Sequence, residues 1–360
     1  MKILAIESSC DETSAAVVEK KGSEIIVHSN VTTTSLLTHA KTGGIIPENA
    51  AREQVKYIMP VITKALIGSN KKTDGSSKNA QEILKKDVEA IAVTYGPGLI
   101  GSLLVGVETA KTLSYIFEKP IIPVNHLLAH IFANFIVSDE SNFFSDSNQK
   151  IKTIDYPFIG LIVSGGHTDL LYFKNIKEFT WLGGTRDDAA GEALDKIGRL
   201  LDLSYPAGPE IEQRAKNGST TKIRFHAPLL GEKTFDFSFS GLKSEVMRFT
   251  KLHALSENMK NEICFAAQKA AIDVLTRKTL NAAEQYNAST ILIGGGVSAN
   301  QTLIKNLKSQ GKARIPFLKV FSPEKKYCTD NAAMIGAYAL LNSTEKPWKE
   351  VHADPELYFA

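Results

Sequence analysis

Two stretches of the 360-residue sequence decide its fold: KILAIESSCDETSAAVVE at residues 2–19 and FIGLIVSGGHTDLLYF at residues 158–173. Each holds two short apolar segments on either side of a turn of small and polar residues, which predicts a β-hairpin. A further strand-like segment follows each hairpin, EIIVHSNV from residue 24 and EFTWLGG from residue 178, so each extends to a three-stranded meander. The repeat favours an internal duplication, although hairpins are common and two unrelated halves are the alternative.

The rest of the chain alternates strand-like and helix-like segments, which is the pattern of an α/β fold. Apolar residues recur every three or four positions over 47–66 and 261–286, as on the buried face of a helix. A chain of 360 residues exceeds what one hydrophobic core usually holds, so the sequence predicts two lobes. We place an N-terminal lobe at 1–136, completed by about 325–360, a polar linker at 137–150 and a C-terminal lobe at 151–324.

Charge and cysteine content exclude several classes of protein. The 42 Lys and Arg residues against 39 Asp and Glu residues leave a net charge of +3, so a nucleic-acid partner would need a local basic patch. Cys10, Cys264 and Cys328 have no CxxC spacing, which argues against a disulfide framework and a thiolate zinc site. The opening residues are too weakly apolar for an export signal and no stretch is long enough to span a membrane, so we expect a cytoplasmic protein without a membrane partner.

Four glycine-rich turns each follow an apolar segment: TYGPGLIGSLLVG from residue 94, VSGGHT from 163, SYPAGPE from 204 and LIGGGVSAN from 292. Glycine lets backbone N–H groups approach an anion closely, and a helix that starts behind the turn adds a favourable dipole. An ordinary tight turn is the alternative at each position, but four such turns indicate at least one nucleotide contact.

His126 and His130, in the segment HLLAH, are the strongest metal candidates. Asn125 before them suits a helix N-cap, and residues four positions apart share a helix face, so both imidazoles could reach one ion. Two ordinary histidines are the alternative. A zinc peptidase would need a glutamate base directly after the first histidine, and Leu127 stands there instead, which disfavours that class.

Acidic side chains that could complete a metal site occur in two segments. Asp330 precedes an apolar helix-like segment, where a carboxylate would either cap the helix or coordinate an ion. In TRDDAAGEALDK, Asp187 precedes Asp188, Glu192 and Asp195, which follow helical spacing and for which a solvated helix face is the alternative. The alternating aromatics of FDFSFSGLKSEV, from residue 235, are interpreted as packing residues, with a base-stacking element as the other option.

Ten motifs, in order along the chain, resemble those of the tRNA adenosine threonylcarbamoyltransferase family, once described as O-sialoglycoprotein endopeptidases. They are IESSCDETSAAVVE, THAKTGGIIPENAAREQ, TYGPGLIGSLLVG, HLLAH, LIVSGGHTDLLY, DDAAGEALDKIGRLL, YPAGPEIE, FDFSFSGLKS, GGGVSAN and CTDNAAMIG. The resemblance spans nearly the whole chain. It implies two duplicated lobes of the actin/Hsp70/sugar-kinase-like, RNase H-like fold around a nucleotide cleft.

The resemblance also implies a reaction and its partners. The threonylcarbamoyl group would pass from threonylcarbamoyl-AMP to the exocyclic amine of the adenosine 3′ of the anticodon, in tRNAs that read ANN codons, with release of AMP. Expected partners are tRNA, an upstream threonylcarbamoyl-AMP synthase and, in bacterial members, an inactive paralogue of the same fold and a P-loop ATPase. The opening of the sequence looks bacterial or organellar.

Carried over motif by motif, the family's site residues fall into three groups. One divalent iron or zinc ion would be held by His126, His130 and Asp330. The acyl-adenylate, or an adenine nucleotide in the cleft, would contact Ile162, Val163, Ser164, Gly165, Gly166, Asp195, Gly208, Glu212 and Asn300. Asp11 and Glu12 match acidic residues implicated in activity and are the candidates for a general base.

The sequence departs from the family's usual YPGGP turn at Ala207. A left-handed backbone at that position would strain alanine by about 1 kcal/mol, whereas any other backbone would make the methyl group harmless.

Two other functions on the same fold are an ATP-dependent small-molecule kinase and a degenerate nucleotide-binding scaffold. Such kinases take their metal with the nucleotide, so the set of His126, His130 and Asp330 argues against the first. Intact ligand positions argue against the second.

Overall fold

The computed structural model describes residues 1–35, 46–70, 79–137, 154–219, 223–227, 229–342 and 344–359. Contacts within the chain divide it into two compact units, Met1–Thr153 together with Asp330–Ala360, and Ile154–Thr329. The predicted lobe boundaries stay a prediction. Nearly all of the predicted linker and the whole THAKTGG segment lie outside the described residues.

The first unit is built on a five-stranded mixed sheet. Its strands are β1 Lys2–Glu7, β2 Glu12–Lys21, β3 Glu24–Thr34, β4 Ala90–Gly96 and β5 Ile121–Asn125, in the spatial order β3-β2-β1-β4-β5. The β1–β2 and β2–β3 pairs are antiparallel, and the β1–β4 and β4–β5 pairs are parallel. Because β1 lies in the centre, every one of its residues after Lys2 is buried, which explains its nearly continuous apolar sequence.

Helices cover this sheet and form the core of the first unit with it. They are α1 Pro47–Gly68, α2 Ala80–Lys86, α3 Ile100–Phe117 and α4 His126–Phe132. The predicted helix at 47–66 is confirmed as α1, whose Ile58 and Ile62 share a buried cluster with Leu4 of β1 and Val107 of α3. This packing holds β1 and β4 rigidly, and both strands end beside the site residues described below.

The second unit repeats the same sheet. Its strands are β6 Phe158–Val163, β7 Thr168–Phe173, β8 Phe179–Gly184, β9 Thr290–Gly294 and β10 Lys319–Phe321, in the order β10-β9-β6-β7-β8. The β6–β7 and β7–β8 pairs are antiparallel, and the β6–β9 and β9–β10 pairs are parallel. Each strand therefore has the neighbours and directions of its counterpart in the first unit, which confirms the duplication that the two meanders predicted.

The helices of the second unit surround a long central one. They are α5 Ala190–Leu200, α6 Gly208–Ala215, α7 Ser240–Leu252, α8 Glu257–Gln285 and α9 Gln301–Arg314. The helix predicted over 261–286 is confirmed as α8, which packs against α6, α9 and β6. Phe237 and Phe239 of the FDFSFS segment are fully buried in the same core, so their interpretation as packing residues is confirmed.

The chain then returns to the first unit with one more helix, α10 Ala332–Asn342, which packs on β1, β2 and α4. This return brings the CTDN motif next to the HLLAH segment. Across the described ranges, no helix combines the length and the apolar character needed to cross a bilayer.

Candidate functional site

Three of the predicted residues meet in the first unit. The side chain of Asn125 accepts hydrogen bonds from the backbone N–H groups of Leu127 and Leu128, so it caps α4 as predicted. His126 and His130 then lie one helical turn apart, with Nε2 at 3.6 and 3.2 Å, respectively, from Oδ1 of Asp330. One ligand atom from each of the three side chains lies within 4.8 Å of the other two, so the group could hold a metal ion.

Asp330 reaches the histidines from the start of α10, but it does not cap that helix. Asn331 accepts a hydrogen bond from the backbone N–H of Met334, which is the N-cap interaction, and the N–H of Ala332 donates to the hydroxyl of Ser14. Because other residues serve the first turn of the helix, the capping alternative for Asp330 is wrong, and its carboxylate faces the two imidazoles.

The geometry of the three side chains fits a metal ion. Neither ring nitrogen of the buried His130 makes a well-aligned hydrogen bond within the described part of the chain, although Nε2 approaches Asp330 at 3.2 Å. A buried polar group without such a bond raises the free energy of the fold, and coordination would remove that cost. Two ligand atoms about 2.1 Å from a tetrahedral ion lie about 3.4 Å apart. The separations of 3.2 and 3.6 Å are close to this value, and two imidazoles with one carboxylate suit iron or zinc.

Glu7, which the sequence reasoning missed, lies directly behind His126. Its buried carboxylate is 3.2 Å from Nδ1 of His126 and accepts hydrogen bonds from the Thr94 hydroxyl at 2.5 Å and from the Ser9 backbone N–H at 2.6 Å. A carboxylate on one ring nitrogen orients the other toward a metal and selects its tautomer. The available signal was an acid at the end of a buried apolar strand, where an unpaired charge is not tolerated.

Charges around these residues shift several pKa values. Burial opposes protonation of His126, but Glu7 and Asp330 outweigh it and raise the His126 pKa to about 9. Burial would raise the pKa of Glu7, yet His126 holds it below the ordinary value. Burial and the nearby charges of Asp330 and Asp11 raise the pKa of Glu12 to about 11, and a cation held by Asp330 would act in the opposite direction.

Asp11 and Glu12 lie at the turn between β1 and β2, in the same unit as the histidines. The backbone of this turn is held by Gln54 of α1, whose amide nitrogen donates to the carbonyl oxygens of Cys10 and Glu12 at 3.0 Å. Gln54 is buried and was also missed from the sequence. Through these bonds, α1 helps to hold the backbone that carries the two acidic residues.

The acids of the TRDDAAGE segment belong to the second unit and serve its loops. Asp188 and Glu192 both pair with Lys196, at 2.7 and 2.8 Å. Asp187 accepts hydrogen bonds from the hydroxyls of Ser238 and Ser240, which ties this segment to FDFSFS. Of the acids considered as a third metal ligand, Asp330 is the one that the described part of the chain groups with His126 and His130.

The IVSGG segment lies at the end of β6 in the second unit. Ile162 and Val163 are buried strand residues, whereas Gly165 and Gly166 are exposed and border open space. The N-terminus of α5 abuts this turn, because the N–H of Gly191 donates to the carbonyl oxygen of Ser164. A Cβ atom at Gly191 would lie 2.5 Å from that oxygen, so glycine is required for the approach. An exposed glycine turn beside a helix N-terminus suits a phosphate.

The remaining predicted contacts form a connected group in the same unit. Asp195 on α5 accepts a hydrogen bond from the backbone N–H of Ala207, at the turn that opens α6 with Gly208. Glu212 on α6 accepts one from the backbone N–H of Gln301, and the neighbouring Asn300 caps α9. The structure thus connects all four positions, although their role toward a nucleotide stays a prediction.

The departure at Ala207 introduces no strain. Its φ of −82° and ψ of −18° lie in the right-handed helical region. The methyl group instead meets Gly198 of α5, where a Cβ atom would lie 2.1 Å from the Cβ of Ala207. Alanine at 207 is therefore accommodated by glycine at 198.

The repeated sheet and the glycine turns define a duplicated α/β protein of the class that the motifs implied, with a His–His–Asp group in its first half. The profile of the family described as tRNA N6-adenosine threonylcarbamoyltransferase matches residues 26–337. Relatives of that description from Clostridium kluyveri and Moorella thermoacetica are each 44% identical, over 94% of this chain and 92% and 90% of their own lengths. The chain belongs to the tRNA N6-adenosine threonylcarbamoyltransferase family, and the predicted class, a transferase that modifies tRNA, is confirmed.

A solved structure supports the fold independently. HypF from T. kodakarensis superposes with a TM-score of 0.54 at 14% sequence identity, covering 94% of this chain. The chain spans about half of that protein, 47% of its length. At this level of identity the similarity concerns the fold alone.

Proposed function

We propose that this chain transfers the threonylcarbamoyl group from threonylcarbamoyl-AMP to the exocyclic amine of the adenosine 3′ of the anticodon, in tRNAs that read ANN codons, and releases AMP. The observation that carries this assignment is the group of His126, His130 and Asp330, backed by Glu7, in a chain of this family. A nucleotide-dependent kinase would have no use for a protein-held ion of this kind.

His126, His130 and Asp330 would hold one iron or zinc ion. When bound, such an ion supplies Lewis-acid polarisation and a fixed point for an oxygen of the substrate. Glu7 would keep His126 in the tautomer that presents Nε2 to the ion, because it faces Nδ1 at 3.2 Å. The buried packing of α4 would fix the direction of both imidazoles.

The donor is a mixed anhydride and is already activated, so the protein has to place it and stabilise charge. The IVSGG turn, Ile162 to Gly166, would steady the phosphate together with the N-terminus of α5. Asp195, Gly208, Glu212 and Asn300 would hold the ribose and the adenine. Asp11 and Glu12 are the candidates for the base that takes a proton from the attacking amine.

Partners and location follow from the same assignment. The chain would act on tRNA in the cytoplasm, downstream of a threonylcarbamoyl-AMP synthase, with an inactive paralogue and a P-loop ATPase if it is bacterial. The free thiols of Cys10, Cys264 and Cys328 are consistent with a reducing compartment.

The test is a transfer assay with the full chain, threonylcarbamoyl-AMP and an unmodified ANN-reading tRNA, with and without the partner proteins. Modified nucleoside is measured by mass spectrometry, AMP by chromatography and bound metal by elemental analysis. We expect transfer by the metal-containing chain and its loss in His126→Ala, with a normal circular-dichroism spectrum.

The matched control is His226→Ala, because His226 is an exposed histidine of the other unit that contacts only Glu245 among the described residues. It should retain full activity. Absence of transfer under every combination would refute the assignment, and full transfer without detectable bound metal would refute the role of the histidines.

A further inference from the structure

Helix α9 carries an uninterrupted basic face. Its sequence, QTLIKNLKSQGKAR, contains no acidic residue, and it buries Leu303, Leu307 and Gly311 against the core. With about 100° between successive residues, the lysines at 305, 308 and 312 lie within about 60° of one another on the other side of the helix. All three lysines are exposed.

These three lysines have no ion-pair partner in the described ranges, unlike their basic neighbours. Arg314, at the end of α9, pairs with Glu284, and Lys319 pairs with Asp155. A row of like charges on one helix face is mildly destabilising, and an anion that covers the row removes the repulsion. Lys305, Lys308 and Lys312 thus form an available cationic row.

An exposed aromatic side chain follows α9 in the chain, three residues after Arg314. Phe317 is 95% exposed and has a φ of +59°, a backbone region that non-glycine residues rarely adopt. The turn directs the next residue, Leu318, inward instead, where it fits against Gly311 so closely that a Cβ atom there would lie 2.2 Å from Leu318. The structure therefore packs the partly buried Leu318 against the core and leaves Phe317 in solvent.

Helix α9, which carries the row, starts at the predicted acyl-adenylate contacts. Asn300 caps α9, and the first N–H of the helix, from Gln301, donates to Glu212. From this end the 14-residue helix extends about 21 Å. Because the acceptor adenosine must meet the donor, RNA that reaches Asn300 and Glu212 would have its neighbouring nucleotides within reach of the lysines.

We propose that the α9 surface, defined by Lys305, Lys308, Lys312 and Phe317, binds tRNA, with the lysines on backbone phosphates and Phe317 stacked on an unpaired base. The assignment rests on the proposed function, since it takes tRNA as the ligand. Unpaired lysines beside an exposed aromatic are the combination that binds nucleic acid without sequence preference. With a net charge of only +3, the chain needs such a local surface to hold a polyanion.

The experiment is equilibrium binding of an unmodified ANN-reading tRNA to the full chain, without donor, at several salt concentrations. The triple variant K305Q/K308Q/K312Q should bind about 10- to 100-fold more weakly at low salt and flatten the slope of log K against log salt by about 2 to 3. The corresponding triple arginine variant should bind like the unaltered chain.

The matched control removes the same charge from the same unit. Lys177, Lys233 and Lys251 are exposed and belong to other segments of this unit, so K177Q/K233Q/K251Q should change binding less than threefold. Phe317→Ala should weaken binding several-fold without changing the salt slope, because a stacking contact carries no charge, and Phe317→Trp should restore it.

In the binding experiment, the assignment would be overturned by no tRNA binding by the unaltered chain at low salt, by equal losses in the two glutamine triples, or by tRNA binding unaffected by the α9 triple. The last result would be expected if α9 met an acidic protein instead. Transfer assays separate this test from that of the proposed function. A chain that transfers normally, with an unchanged KM for tRNA in the α9 triple, would retain its function and refute the surface.

Discussion

At the scale of single residues, Glu7 and the Ser9 hydroxyl both face Nδ1 of His126 at 3.2 Å, which leaves Nε2 for a ligand. The Glu7 carboxylate also accepts from the Thr94 hydroxyl and the Ser9 N–H, so both of these donors require an acceptor at residue 7. A glutamine of the same size would turn an N–H group toward one of these donors. We therefore expect Glu7→Gln to retain the fold and to loosen the orientation of His126.

The measurable consequence of Glu7→Gln is weaker metal binding. Loss of a partner behind a ligating histidine typically lowers metal affinity about 10- to 100-fold. Competition with a chromophoric chelator measures this affinity without any enzyme assay. Glu350→Gln, at an exposed glutamate of the same unit, is the control. Identical metal affinities of the Glu7 and Glu350 variants would contradict the role of Glu7.

A second buried acid, Asp169 on β7, controls pH dependence in the other unit. It is 6% exposed and accepts a hydrogen bond from the Trp181 indole at 3.0 Å. Burial raises the Asp169 pKa to about 6 despite that bond. The folded state thus binds a proton that the unfolded state has lost. The stabilising contribution of Asp169 is full below about pH 4, the pKa of an unfolded aspartate. It is lost as the pH rises through about 6, the pKa of Asp169 in the folded state.

Asp169→Asn should remove this dependence, because asparagine keeps the oxygen that accepts from Trp181. We expect the free energy of unfolding to rise by about 2 kcal/mol at pH 7 to 8 and to change little at pH 4. Urea unfolding at both pH values measures the difference. Asp202→Asn, at an exposed aspartate of the same unit, should show no such trend. A pH-independent difference for Asp169→Asn would contradict the assignment.

The site residues divide into those that a sequence can reveal and those that it cannot. His126 and His130 are four positions apart, so helical geometry alone predicts that they share a face. Asp330 was recognised by its motif, but sequence could not tell a cap from a ligand, because Asn331 is an equally good cap and only the structure shows which one bonds to Met334. Glu7 was missed because its partner is 119 positions away in the chain.

At the scale of elements, α5 and α6 approach each other through one methyl group. A Cβ atom at Gly198 would lie 2.1 Å from that of Ala207, so the contact has room for only one of the two. Gly198→Ala alone should therefore lower the free energy of unfolding by about 1 to 3 kcal/mol through overpacking. Ala207→Gly alone should lower it by about 1 kcal/mol through loss of a buried methyl group.

The double variant G198A/A207G moves the methyl group from one helix to the other and should recover stability to within about 1 kcal/mol of the original chain. Urea unfolding of the four proteins gives the coupling energy directly. Strictly additive losses would show that the two positions do not share this contact.

The elements themselves were largely predictable from pattern. The strands of both meanders and the helices α1 and α8 follow from periodicity, because each buries a continuous apolar face. The backbone conformation of Ala207 was not predictable from the sequence. Glycine at a turn permits both right-handed and left-handed backbone, so the usual glycine of this motif does not say which one the turn adopts. The accommodation by Gly198, nine positions earlier, is a tertiary contact that periodicity does not encode.

At the scale of the whole molecule, the duplication assigns different chemistry to equivalent units. The metal candidates and the glycine-rich turn from residue 94 are in the first unit, whereas the other three glycine-rich turns and the α9 surface are in the second. Sequence predicted the repeat from two matching hairpins. The predicted lobes already placed His126, His130 and Asp330 in one copy and the VSGGHT turn in the other, because these motifs lie far apart in the chain.

This division predicts that metal and tRNA affect the reaction separately. Removal of the metal with a chelator should abolish transfer and leave the dissociation constant for tRNA within about twofold, because none of the α9 residues belongs to the His126–His130–Asp330 group.

The K305Q/K308Q/K312Q variant should keep its metal content and its kcat at saturating tRNA, while its KM for tRNA rises about 10-fold or more. Metal analysis, tRNA binding and initial rates on the same preparations measure all of these quantities, and readdition of iron(II) or zinc is the control for the chelator. If removal of the metal weakened tRNA binding as strongly as the lysine substitutions do, the two functions would not be separable in this way.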